Sequence, residues 1–208
     1  MPACGVLFVA LLVASFALSG NTPGTDATGQ QVISFYTAHS SKEQASNFLA
    51  LYAVVFFVFF AAVLRAHLRR ARPDGGALAT ASLGGAILVA VGGAIFCALG
   101  IALSDVPDKL DPGAAQALNV LTNDFFAPLI IGTCVFMIAN GLAILRWEAL
   151  PAWLGWVAIV IGVVAVTPVG FFAFLVTMAW VLVVSVLLLV RGGADRRRSP
   201  STTAAPAA

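Results

Sequence analysis

Between Glu148 and Arg191 the chain reads ALPAWLGWVAIVIGVVAVTPVGFFAFLVTMAWVLVVSVLLLV (residues 149–190), 42 consecutive residues without a charged side chain. About 20 apolar residues cross the hydrocarbon core of a bilayer. One straight helix of this length would reach about 60 Å, twice the core, at about 1.5 Å per residue. Thr167-Pro168-Val169-Gly170 stands in its middle, where proline and glycine interrupt a helix and permit a tight reversal. The stretch therefore reads as a hairpin of two membrane helices, about 152–167 and 170–190, rather than as one kinked helix.

Further charge-free intervals lie at 1–25, 44–64, 75–104 and 125–145. Each holds one helix, which places spans at about 4–20, 44–64, 78–103 and 124–145. Of the 208 residues, 61% are hydrophobic and 10% charged, whereas a soluble domain carries about 25% charged residues. A water-facing surface cannot be built from so few. The sequence thus predicts an all-α, polytopic transmembrane helical bundle of six spans in one domain over residues 1–190. A tail over 191–208, basic and then disordered, should follow. Residues 1–19 admit a second reading, because Ala17-Leu18-Ser19 resembles a signal-peptide cleavage site. No Lys or Arg precedes the apolar run, which favours a retained helix; cleavage would leave five spans.

Orientation follows from Lys and Arg. Arg65, Arg69, Arg70, Arg72, Arg146, Arg191, Arg196, Arg197 and Arg198 fall on one side of the six-span scheme, and only Lys42 and Lys109 on the other. Both termini are then cytoplasmic in a plasma membrane. Arg191, Arg196, Arg197 and Arg198 would attract anionic inner-leaflet lipids. The outer side holds Asp26, Glu43, Asp105, Asp108, Asp111 and Asp124.

Two short outer amphipathic helices are predicted. Thr28-x-x-Gln31 reads as a capping box opening a helix with Val32, Ile33, Phe35 and Tyr36 on one face. Ser40-x-x-Glu43 reads as a second capping box that starts the long second span, which should continue through Arg70. Asp111-Pro112 is an N-cap with proline at the first helical position, and Ala114, Leu118, Leu121 and Phe125 continue one face. Asp105, Asp108 and Asp111 resemble a cation cluster. Pro107 and Pro112 break the alignment that such a cluster needs, so a solvated loop is the better reading.

One constellation could take a ligand: Tyr36, His39, Asn119, Asn123 and Asp124. Asn119 and Asn123 share a helix face, and Asp124 stands at the outer mouth of the fourth span. Pro128 cannot donate to the Asp124 carbonyl, and a freed carbonyl beside a carboxylate is one way polar sites are built in membranes. Tyr36 and His39 would close over it from the first outer helix. Against this stands an ordinary water-facing helix start. Elsewhere the polar residues read as packing: Asn140 as a helix–helix hydrogen bond, and Trp180 as a residue held between helices. The glycines of span three read as small-residue contacts, with Ala81, Gly85 and Gly93 on one stripe and Gly84, Gly92 and Gly100 beside it.

Catalytic chemistry is not signalled. Cys4, Cys97 and Cys134 form no CxxC, the two histidines lie on opposite sides, and no HExxH, GxSxG or phosphate loop is present. No catalytic, cofactor or metal residues are expected, and no nucleic-acid partner. The sequence favours a non-enzymatic scaffold, regulatory or partner-binding subunit, with a small-molecule transporter or sensor as the alternative.

Residues Val32-Ile33-Ser34-Phe35-Tyr36-Thr37-Ala38-His39, the long helix ending Leu64-Arg65, and Ala149-Leu150-Pro151-Ala152-Trp153-Leu154-Gly155-Trp156 carry a resemblance. The chain resembles a bacterial family of small integral membrane proteins of unknown function, frequent in high-GC genomes. Ala152 departs from the arginine often found there. The resemblance implies a bacterial membrane protein and no activity, cofactor or site residue.

Overall fold

The computed structural model describes residues 3–72 and 76–198, and among these every regular element is a helix. In chain order they are α1 (Cys4–Leu18), α2 (Gly29–Ala71), α3 (Gly76–Asp105), α4 (Pro112–Asp124), α5 (Ala127–Trp147), α6 (Ala152–Ala165) and α7 (Gly170–Arg198). A 3₁₀ turn at Pro107–Lys109 precedes α4. Four helical stretches are long and apolar enough to cross a membrane: α2, α3, the α4–α5 stretch and α7. Helices α1 and α6 are apolar but have 15 and 14 residues. At about 1.5 Å per residue they reach about 20 Å, less than the ~30 Å hydrocarbon core.

The long apolar run divides where its proline and glycine stand. Between α6 and α7, the Thr167 N–H donates to Val164 O and the Gly170 N–H to Thr167 O, at 3.0 and 2.9 Å. A Cβ on Gly170 would collide with the Ala165 carbonyl oxygen, so the reversal requires glycine there.

The expected pair of helices at 28–39 and 40–70 is a single helix, α2, of 43 residues. Its capping box is the predicted one: the Gln31 N–H donates to Thr28 Oγ1, and the Thr28 N–H donates to Gln31 Oε1 at 2.8 Å. No break follows at Ser40, because residues 30–71 contain neither proline nor glycine. A buried stripe runs unbroken through Val32, Tyr36, Glu43, Asn47, Phe57, Leu64 and Leu68. The first turns of α2 therefore pack onto α4 in a small cluster of Val32, Tyr36, Leu103 and Ala115.

Helix α4 exists with its predicted cap, the Gly113 N–H donating to Asp111 Oδ1 at 2.9 Å. Its inward face is Ala115, Asn119 and Thr122, while Ala114 and Leu121 are exposed. The apolar face read from the sequence is thus turned partly outward, because two asparagines are drawn inward to loop carbonyls. The chain breaks at Phe125 and Phe126, and Pro128 sits in the first turn of α5 rather than kinking a helix. The Asp124 carbonyl is not freed, since it accepts from the Phe126 N–H at 2.8 Å.

Helix α3 lies between α2 and α5. Gly85 and Gly92 face α5, Gly93 and Gly100 face α2, and a Cβ on Gly84 would meet nothing within 4 Å. The stripes are therefore spaced seven residues apart, two helical turns, and not the eight implied by grouping Gly85 with Gly93. Eight residues overshoot two turns at 3.6 residues per turn. As expected, Ser82 Oγ donates to Asn140 Oδ1 across the α3–α5 contact at 3.0 Å. Trp180 is buried, its Nε1–H donating to Leu154 O at 3.0 Å. Rings of Phe8, Phe57, Phe136 and Trp180 link α1, α2, α5 and α7 through the core, at centroid separations of 5.0, 5.3 and 6.2 Å.

Arg65–Arg72, Arg146 and Arg191 collect at one end of the bundle. There the Arg191 guanidinium donates to Ala149 O at 3.2 Å, and His67 Nε2 lies 3.3 Å from the same oxygen. Trp153 and Trp156 are exposed beside them. Helix α7 runs on through Arg198, so the basic part of the tail, residues 191–198, is helical. The expected disordered segment 199–208 lies outside the described residues.

Candidate functional site

At the end of the bundle opposite the arginines, the helices enclose a chamber of about 540 Å³. Small-molecule sites commonly measure about 300–1,000 Å³. The chamber's character changes along α2. Tyr36, Glu43, Ser46 and Asn47 line it near the α4 end, then Ala50, Val54 and Phe57 further in. Helix α1 contributes Phe8, Leu12 and Ser15, α3 contributes Gly93, Cys97 and Gly100, and Leu129, Ile130 and Phe174 complete the apolar part.

Side chains of α2 and α4 hold the α1–α2 loop as a roof. The Gly20 N–H donates to Glu43 Oε1 at 2.9 Å and Ser19 Oγ to Glu43 Oε2 at 3.2 Å. Asn119 Nδ2 donates to Gly24 O at 2.8 Å, and Asn123 Nδ2 donates to Pro23 O at 3.2 Å. Below the roof, Ser15 and Ser46 each donate to the other's backbone carbonyl, at 2.9 and 3.0 Å. This exchange satisfies two buried hydroxyls and fastens α1 to α2.

Three of the five predicted site residues meet here. Tyr36, Asn119 and Asn123 line the chamber; His39 and Asp124 do not. His39 is exposed on α2, stacked on Phe35 at 4.6 Å, with Nδ1 2.9 Å from the Phe35 carbonyl oxygen. Asp124 is exposed at the C-terminal end of α4. The lid expected from Tyr36 and His39 is absent as such, because residues 28–39 are the fixed first turns of α2.

The acid of the chamber is Glu43, 3% exposed. Its Ser40-x-x-Glu43 spacing predicts instead a solvent-facing helix start. A signal for it existed: Val32, Tyr36, Glu43 and Asn47 fall at helical spacing on one uninterrupted stripe, which leads into Phe57 and Leu64. Among the described residues no group of three or more His, Cys, Asp or Glu could hold a metal ion. Cys4, Cys97 and Cys134 are free thiols.

No family model matches the chain, and neither does any curated protein or solved structure.

Proposed function

We propose that this is a multi-pass protein of the bacterial plasma membrane that takes up an amphipathic small molecule from the outer side, as its transporter or its sensor. The observation that carries this reading is the change of lining along α2, from Glu43 and Asn47 to Val54 and Phe57. Such a chamber matches a ligand with a polar head and an apolar chain. The site is a binding site, with no catalytic or cofactor role assigned to its residues.

The accompanying topology has six passes, α1 and α6 being short ones, and both termini in the cytoplasm. The clustering of Arg65, Arg69, Arg70, Arg72, Arg146 and Arg191 at one end supports that orientation. Arg191 and Arg196–Arg198 would add about 1 kcal/mol each of attraction to anionic lipids. The Ser15–Ser46 exchange supports retention of residues 1–19. Likeness to the family of small bacterial membrane proteins, carried by residues 32–39, the helix ending Leu64-Arg65 and residues 149–156, agrees with this placement. Reporter fusions after residues 74, 148 and 198 should read cytoplasmic, and fusions near 30 and 110 external.

A scaffold or partner-binding role draws on the α3–α5 seam, where Gly85 and Gly132 bring backbones together. That seam is internal and offers a partner no surface, so the chamber carries more. The test is purification in mild detergent with mass spectrometry of bound small molecules, for the wild type and for Ala50→Phe, which fills the chamber. A co-purified amphiphile lost from the variant at unchanged thermal stability is the expected result. Equal ligand content in both would remove the chamber from consideration.

A further inference from the structure

The polar wall of the chamber around Glu43 is rich in hydrogen-bond acceptors. Three asparagine nitrogens on it donate to backbone carbonyls: Asn47 Nδ2 to Glu43 O, Asn119 Nδ2 to Gly24 O, and Asn123 Nδ2 to Asn119 O. Carbonyls only accept, so these contacts fix which end of each amide is nitrogen. The three Oδ1 atoms are left without a protein donor among the described residues. The Thr122 hydroxyl likewise donates to Leu118 O. Glu43 receives only the Gly20 N–H and the Ser19 hydroxyl, and a carboxylate offers about four acceptor positions.

No Lys, Arg or His lines the chamber among the described residues, and none pairs with Glu43. A buried carboxylate without a counter-charge is costly. Exposed Asp26, Asp105, Asp108, Asp111 and Asp124 stand at the same end of the bundle, outnumber exposed Lys42 and Lys109 there and deepen the negative field that a guest meets. The Tyr36 hydroxyl on the same wall can donate, but negative charge without a cation in the chamber calls for a guest that is positive.

Resting on the reading of the chamber as an amphiphile site, we infer that its guest bears an ammonium group, a protonated amine or quaternary ammonium on a hydrocarbon chain. The head sits at Glu43, and the chain runs along α2 towards Phe57, about 20 Å away at 1.5 Å per residue. Glu43 is then the residue that sets specificity. The ammonium could belong to a free alkylamine or to a phospholipid headgroup, and the two sources separate experimentally.

The experiment uses the full chain in phosphatidylglycerol nanodiscs, titrated with decylammonium, decanol and decyl sulfate, with thermal shift giving each apparent Kd. Wild type should bind decylammonium about tenfold or more tighter than decanol, as a charge-assisted contact provides. Glu43→Gln should abolish that ratio and leave decanol unchanged; the same discs cancel partitioning into the lipid. Glu43→Asp, which keeps the charge, should retain the preference. Competition by phosphatidylethanolamine would assign a lipid headgroup as the source, and its failure a free amine. Equal binding of decanol and decylammonium by wild type, or a preference for decyl sulfate, overturns the ammonium inference and leaves the chamber reading intact. Binding of none of the three overturns both.

Discussion

Helix α3 carries two glycine pairs seven residues apart, and its two sides use them in opposite ways. Towards α5, Gly85 stands against the backbone of Phe136, and Gly132 would place a Cβ 2.6 Å from Val89 N. Here the missing side chains let two helices touch, which matters in lipid because no hydrophobic drive holds helices together. Towards α2, Gly93 would meet only the tip of Val54 at 3.0 Å, and Gly100 the amide of Asn47. Both line the chamber. Glycine on that side leaves room rather than closing it. A small residue in a membrane helix therefore indicates either a seam or a space, and only the atom opposite tells which.

The difference can be attacked first at Gly85. Gly85→Leu should cost about 3 kcal/mol, at the upper end for an overpacked core, because a backbone cannot step aside. Thermal unfolding in detergent, followed by near-UV circular dichroism, would show it. Gly93→Leu should cost less than about 1 kcal/mol, since a flexible side chain and open space receive it, and should abolish amphiphile uptake. Equal losses of stability at the two positions would erase the distinction.

A smaller effect tests the seam's polar contact. Ser82→Ala removes the hydrogen bond to Asn140 and should lower stability by about 0.6 kcal/mol, the average for such bonds between membrane helices. A much larger loss would show that the seam is held by polarity rather than close approach. The smallest change belongs to Gly84, which touches neither neighbour. Gly84→Ala should raise stability by roughly 0.5 kcal/mol through helix propensity alone. A decrease would mean that a third packed surface passes over that position.

Much of the bundle is legible because lipid imposes length. Charge-free runs and the Pro168–Gly170 break give α3, α5, α6 and the start of α7 within a few residues, and capping chemistry gives Thr28 and Asp111. The candidate site is only partly legible. Tyr36, Asn119 and Asn123 carry helical spacing, which pattern can reveal. Asp124 and His39 stand near a mouth only by position, and position along a chain does not say which way a helix is turned. Glu43 escaped because Ser40-x-x-Glu43 fits a capping box and a helix interior equally well. The deciding fact was burial of the whole stripe, a property of what packs against α2 rather than of α2 itself.

Helix α2 joins the two ends of the molecule without interruption. Its 43 residues make a rod about 65 Å long, with Glu43 about a third of the way along it and Arg69 and Arg70 near the far end. A rod pivoting in the bilayer behaves as a lever. A tilt of about 10° around its midpoint would carry each end through about 5–6 Å, roughly one helical turn. A guest that pushed on Glu43 would act on the arginines at the other end of the rod through a single continuous ladder of backbone hydrogen bonds.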